Sequence, residues 1–445
     1  MQQTRKVPLW GALALLIYMP LHVFLAQSLS LLTGGLSAWK IAKDLLAAAV
    51  TLFAVCLVMR NRKGSKLLNI TLVLTAIYIA LHFILWAFYP TIYRPSAELG
   101  IIYNNRLLAY VVLGLCAGLL LDNRDKLRPE TLLKVLLGIS TLVAALGVVQ
   151  YFLPHDILTH VGYSVQRGTV PAFYIDSNTE FPRVMSTLRD PNSLGAYLIL
   201  PLTALTALML KAWTNKRRLS QLVGLSAIHW AALFLTFARS AWLAALLSVG
   251  LVVFWQYRAV IARTTKRYWP VLVVALAIIG VGAFAFRNSF IAKSVVTHST
   301  GVPKAAHDSN GFHLAFAERG LEGIVRNPFG HGPGTAGLAS IQNPHGSFLT
   351  ENYYIQIGYE VGVLGLLVFI AINVVLYRAL WQRRELVMAQ VLLASFWGYV
   401  VCNMLLQMWS NEAVAAQWWI TTGLVLAALR TPGNPKSKKR LVAAR

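Results

Sequence analysis

Runs of roughly 20 apolar residues, separated by short polar connections, organise this chain from end to end. A helix that crosses the hydrocarbon core of a bilayer needs about 20 residues, so each run is long enough to span. The spans are read at 9–32, 39–59, 67–89, 101–121, 131–153, 191–211, 219–236, 238–256, 269–286, 352–380, 386–409 and 412–429. In lipid every backbone N–H and C=O must be satisfied within the element, which favours helices. The pattern therefore predicts an all-α, polytopic integral membrane protein of about 12 transmembrane helices. The first run is too long for a signal-peptide core and lacks a convincing cleavage site, so it is read as an uncleaved anchor.

The polar segments that break this rhythm are few. The connections 154–190 and 287–351 are both long, and loops of more than about 15 residues are usually functional. Within the second, Phe312 to Arg326 has the apolar periodicity of a surface helix, stopped by Asn327-Pro328 and followed by a glycine-rich turn. That turn reads first as a plain turn and only weakly as a phosphate loop. No internal repeat and no second soluble domain is evident. The chain is taken as one transmembrane domain over 1–445, with a basic tail at 430–445.

Composition sharpens the topology. The 445 residues are 57% hydrophobic and 13% charged, with a mean hydropathy of +0.59. A net charge of +24 would fit nucleic acid if it formed one face. Here the basic residues form short clusters in alternate connections, such as Arg60/Arg62/Lys63/Lys66 and Arg258/Arg263/Lys266/Arg267. By the positive-inside rule those connections and both termini are cytoplasmic, which places the two long loops outside. The clusters face membrane lipids rather than nucleic acid. Cys56, Cys116 and Cys402 all fall within spans and imply no disulfide framework.

With the topology set, ionisable residues far apart in sequence share one depth near the outer interface. Arg239 stands in Thr236-Phe237-Ala238-Arg239-Ser240, between two apolar runs and without an acidic neighbour in sequence. Such a charge costs about 2.5–3.5 kcal/mol at mid-helix on insertion scales, and a guanidinium suits phosphate oxygens. Arg239 is expected to anchor a phosphorylated substrate. Lys40, Lys43 and Asp44 open the second span, Arg106 lies in the outer third of the fourth, and Arg183 and Arg189 precede the sixth. Lys43 can instead pair with Asp44, and Arg189 with Asp190. Asp190-Pro191-Asn192-Ser193 has the form of a capped helix start, whose N-terminus attracts anions.

These residues resemble the O-antigen ligase and O-antigen polymerase superfamily. The likeness rests on the Arg183…Arg189-Asp190-Pro191-Asn192 segment, the Thr236-to-Ser240 turn, and Asn327-Pro328 with its glycine-rich turn. It also rests on Glu351-Asn352-Tyr353-Tyr354 leading to Gly358, Glu360, Gly362 and Gly365, and covers roughly 180–370. The spacing from Arg239 to Gly250 is similar to one in such polymerases.

The resemblance implies a metal-independent inverting glycosyltransferase of the bacterial inner membrane. Its donor would be an undecaprenyl-diphosphate-linked glycan, and its acceptor a glycan or lipid-linked glycan hydroxyl on the periplasmic face. The arginines, with Lys43, would bind the diphosphate. No cofactor is implied, and no Asp-x-Asp pair or His/Cys cluster with metal-ligand spacing occurs. Ligases carry a catalytic histidine at the start of the tenth span, whereas this chain has Glu351 there and His345 six residues earlier. Either could take a proton from a sugar hydroxyl. The alternative class is a transporter or flippase of lipid-linked oligosaccharides. Transporters typically show repeats and broken helices at the bilayer midplane. A membrane-scaffold role is more distant still.

Overall fold

The computed structural model describes residues 3–89, 93–175, 178–286, 309–344 and 346–429. The chain folds almost wholly as helices: α1 (Val7–Tyr18), α2 (His22–Thr33), α3 (Leu36–Arg60), α4 (Lys66–Phe88), α5 (Arg94–Leu120) and α6 (Pro129–Tyr151). These are followed by α7 (Pro191–Lys211), α8 (Lys216–Leu235), α9 (Arg239–Phe286), α10 (Ser309–Arg326), α11 (Tyr353–Trp381), α12 (Val387–Leu405) and α13 (Glu412–Ala427). Ten helices are long and apolar enough to cross a membrane among the described residues. The protein is an all-α polytopic membrane protein, as the apolar periodicity predicted.

Three boundaries differ from those read in the sequence. The first span is bent by Pro20, where a single 3-10 turn at Met19–Leu21 links α1 to α2. The expected break between spans at 256 and 269 is absent, because α9 runs 48 residues without interruption. No glycine or proline stands between Gly250 and Pro270 to stop it. The last expected span is the 16-residue α13, shorter than a full crossing but buried along its whole length.

The buried centre of the bundle lies where α13 packs on α5. A Cβ on Gly114 would come within 2.6 Å of the Ile420 carbonyl, so glycine permits this close approach. Trp409, Trp418 and Trp419 are fully buried around it, with ring centroids 5.3–5.7 Å apart.

The 152–190 connection holds a two-stranded antiparallel hairpin, β1 (Phe173–Ile175) and β2 (Asn178–Arg183), which the sequence reading did not anticipate. The surface helix expected over Phe312–Arg326 is α10, and it ends just before Asn327-Pro328. In the turn that follows, the His331 and Gly332 amides donate to the Tyr359 and Glu360 carbonyls of α11. Gly362 breaks α11 there with φ +76°, and the Val363 amide beyond the break donates to the Pro328 carbonyl at 2.9 Å. Loop and helix thus complete each other's backbone bonding.

Candidate active site

Alternate turns of the bundle, together with both long connections, gather at one end. Helices α7, α9, α11 and α13 all begin there. Asp190 caps α7, its carboxylate accepting from the Ser193 amide and hydroxyl, both at 2.8 Å. Asn352 caps α11 and Asn411 caps α13, each through its side-chain oxygen. The Asn411 amide also donates to Ser193 Oγ at 2.9 Å, joining the α13 and α7 caps. This explains why the Asp190-Pro191-Asn192-Ser193 start was readable: the cap residue, the proline and the first-turn hydroxyl are all local.

A cavity of about 420 Å³ opens beside these caps, between α2, α3, α5 and the start of α13. Its lining brings together Lys43, Arg106 and Arg189 from the sequence-predicted set, with Lys40, Asp44, Asp190, His22 and Glu412. The cations are not equivalent. Lys43 Nζ lies 2.9 Å from Asp44. Arg106, buried in α5, lies 3.4 Å from Glu412 and 3.8 Å from Asp44, donates to the Ser410 carbonyl, and sits over the Tyr103 ring. Both are compensated within the fold.

Arg189 is different. Among the described residues it makes no hydrogen bond and no ion pair, and the Arg189–Asp190 pairing considered from sequence does not form. The Asp190 carboxylate is engaged in its cap instead. Lys40 stands within electrostatic reach of Arg189 and Arg167, and donates to the Arg167 carbonyl at 2.8 Å. Lys43 and Arg106 are therefore balanced by Asp44 and Glu412, while Arg189 and Lys40 add positive charge that Asp190 offsets only in part.

Arg183 and Arg239 lie outside this lining. Arg183, at the end of β2, donates through Nε to the Thr236 carbonyl at 2.8 Å and through Nη2 to Asn192 at 2.9 Å. It thereby ties the α7 start to the α8–α9 turn, where Arg239 is the first residue of α9. The turn is tight: Phe237 has φ +50°, and Thr236 Oγ1 accepts from the Ala238 amide at 3.1 Å.

Glu351 does not sit inside α11 but immediately before its Asn352 cap, with φ +50°. Its own amide and that of Thr350 are placed to donate to the Gln407 side-chain oxygen, at 3.0 and 3.1 Å. Burial, and secondarily the neighbouring Asp190 carboxylate, push Glu351 up from 4.5 to about 7. Asp190, which lines the cavity, is thus within electrostatic reach of Glu351. His345, the other candidate base, lies outside the described residues.

Sequence reasoning missed several participants. Glu412 and His22 line the cavity, yet neither was singled out. An acidic residue directly after the Asn411 cap was the available signal for Glu412. Glu360, on α11, entered the sequence reading as part of the family resemblance; the structure buries it completely. Its carboxylate accepts from the Gly334 and Ala336 amides at 2.9 and 3.2 Å and from Asn104 at 2.6 Å. These amides belong to the glycine-rich turn, so an internal carboxylate occupies the position a phosphate would take. The plain-turn reading holds there. Among the described residues no group of three or more His, Cys, Asp or Glu could hold a metal ion.

These features define a multi-pass helical membrane protein with a polar, charge-lined cavity beneath its long connections. Residues 224–370 match the family model described as O-antigen ligase, which bears out the resemblance to the O-antigen ligase and polymerase superfamily. The match runs from within α8 to within α11. It takes in Arg239, the glycine-rich turn and Glu351, and leaves Arg106 and Arg189 outside. No curated protein matches the chain.

Proposed function

We propose that the protein transfers a glycan from an undecaprenyl-diphosphate carrier to an acceptor sugar hydroxyl at the periplasmic face of the bacterial inner membrane. It would act as a polymerase, with a second carrier-linked glycan as acceptor, or as a ligase acting on lipid A core. The basic clusters at the opposite end of the bundle favour cytoplasmic termini and a periplasmic cavity. The observation that carries the reading is Arg189: a half-buried guanidinium lining a polar cavity, with no ion pair or hydrogen bond among the described residues.

In the reaction, Glu351 takes the proton of the acceptor hydroxyl as its oxygen attacks the anomeric carbon. The new carbon–oxygen bond forms as the bond from that carbon to the diphosphate breaks, from the opposite face, so the anomeric configuration inverts. The departing diphosphate gathers negative charge. Guanidiniums already in place at Arg189, Arg239 and Arg183 stabilise it without reorganising, and no metal is required. A carboxylate with its pKa near neutrality is matched to proton removal near pH 7. His345 is the alternative base.

The test uses purified protein and a defined undecaprenyl-diphosphate oligosaccharide, with and without lipid A core, and no ion gradient. Elongated carrier-linked product identifies a polymerase, and core-linked product identifies a ligase. Absence of both, with gradient-dependent movement of the intact donor across vesicles, would make the protein a transporter instead. Arg239→Lys keeps the charge but loses the bidentate fork, and should transfer poorly with normal expression.

A further inference from the structure

We infer that the charge-balanced part of the cavity lining, formed by Lys43, Asp44, Arg106, Ser410 and Glu412, is a sugar subsite, which takes a neutral glycosyl residue through its hydroxyls rather than through a phosphate. The inference rests on the glycan-transfer reading above and assigns a different part of the substrate to these residues. Three observations carry it.

The first is charge. Lys43 and Arg106 face Asp44 and Glu412, two cations against two carboxylates. A multiply charged diphosphate would find no net attraction here, and its approach to two buried carboxylates would be repelled. Arg189 and Lys40 add positive charge to the rest of the lining, offset only in part by Asp190.

The second is unmet hydrogen bonding. Arg106 is buried, with 6% of its surface exposed, yet its Nε donates to nothing, and its Nη1 has only the Asp44 Oδ1 ion pair at 3.8 Å, beyond hydrogen-bond distance. Ser410 Oγ and Asp44 Oδ1 are likewise buried and lack a hydrogen-bond partner. All three residues line the cavity. Buried polar groups are normally satisfied, so a cluster of orphans around one cavity marks a site built for a ligand. The orphans include two guanidinium donors, one acceptor and one hydroxyl that can do either. A sugar's adjacent hydroxyls, each both donor and acceptor, complement that set; a phosphate, which only accepts, would leave Asp44 unmet.

The third is shape. A volume of about 420 Å³ falls within the range of small-molecule sites. Tyr103, whose ring carries the Arg106 guanidinium, also lines it and adds apolar surface.

The experiment uses the full-length protein in nanodiscs, with methyl glycosides of N-acetylglucosamine, galactose and glucuronate as probes. Binding is read by saturation-transfer NMR, and bare undecaprenyl diphosphate serves as a separate probe. A neutral glycoside is expected to bind and glucuronate to bind more weakly. Ser410→Ala removes a hydroxyl that bonds to nothing in the fold, while Arg106 bonds the Ser410 carbonyl and keeps its partner. It should leave the melting temperature unchanged and weaken glycoside binding about three- to tenfold, the range for one hydrogen bond. Asp44→Asn should weaken it further. Ser410→Ala should not alter binding of the bare carrier, Asp44→Asn should not weaken it, and Arg189→Gln should. The subsite is overturned if no neutral glycoside binds, if Ser410→Ala leaves glycoside binding intact, or if it weakens the bare carrier equally. If instead Arg189→Gln leaves the bare carrier bound as before, the diphosphate reading fails while the sugar subsite stands.

Discussion

Arg106 and Arg189 line the same cavity, and the difference between them shows how a membrane protein divides its charges. Arg106 is held by Glu412, Asp44, the Ser410 carbonyl and the Tyr103 ring. Arg189 has no such partner among the described residues. Two carboxylates near α11 are also placed differently. Glu360 is sunk within the helix among amides and side-chain donors, whereas Glu351 stands just before the Asn352 cap. An ionisable residue at membrane depth is thus either part of the framework or available to a ligand, and residue type does not say which.

The largest expected effect is at Glu351. If it is the base, Glu351→Gln should lower transfer by about 10²- to 10⁴-fold, the usual worth of a positioned proton acceptor. Because the base must be ionised, wild-type transfer should rise with pH through about 7, and the variant should lose that limb. Stability should move the opposite way. The folded value lies above the ordinary 4.5, so the stabilisation is fully present below about 4.5 and is lost as pH rises through about 7. Thermal melts of wild type against Glu351→Gln across that window check the sign, and a steeper slope in the variant would contradict it.

Next in size is Arg106→Leu. Removing one member of a buried ion network typically costs about 3–5 kcal/mol, because the carboxylates left behind are uncompensated. The variant should therefore fail on folding and yield, measured by melting temperature in detergent, before any kinetic question arises. A stable Arg106→Leu protein would show that Asp44 and Glu412 do not depend on it.

Arg189→Gln should do the reverse. With no ion pair to break, its melting temperature should stay near wild type. Transfer should fall roughly 10²-fold, as when one stabilising donor for a developing anion is lost. A pronounced loss of stability with normal donor dependence would return Arg189 to the framework. The smallest effect is expected at Glu360→Gln, at about 1 kcal/mol or less. The amide oxygen can still accept from Gly334 and Ala336, and the side chains of Asn104 and Gln356 can turn to present oxygen.

How far this division could be read in advance follows from where the partners sit. The spans and the Asp190 cap depend on neighbours within a few residues, and they were legible. Lys43 with Asp44 is adjacent in sequence, and their pairing was weighed as the alternative to a diphosphate-binding role for Lys43. Arg106 with Glu412 was not, because the partner enters from α13, at the far end of the chain. The glycine-rich turn was visible as a turn, but its occupant Glu360 arrives from α11, beyond the following connection. The continuity of α9 was missed because hydropathy reports depth, whereas helix continuity depends on the absence of breakers.

The break in α11 at Gly362 bears on how this end of the fold is held. Its exposed amides and carbonyls are met by Pro328, His331 and Gly332 of the preceding connection. A lone span carrying such a gap in lipid would leave backbone groups unsatisfied at several kcal/mol each. The break is therefore satisfied in lipid only with the upstream turn docked on it, so the turn and the bend stabilise each other as one unit.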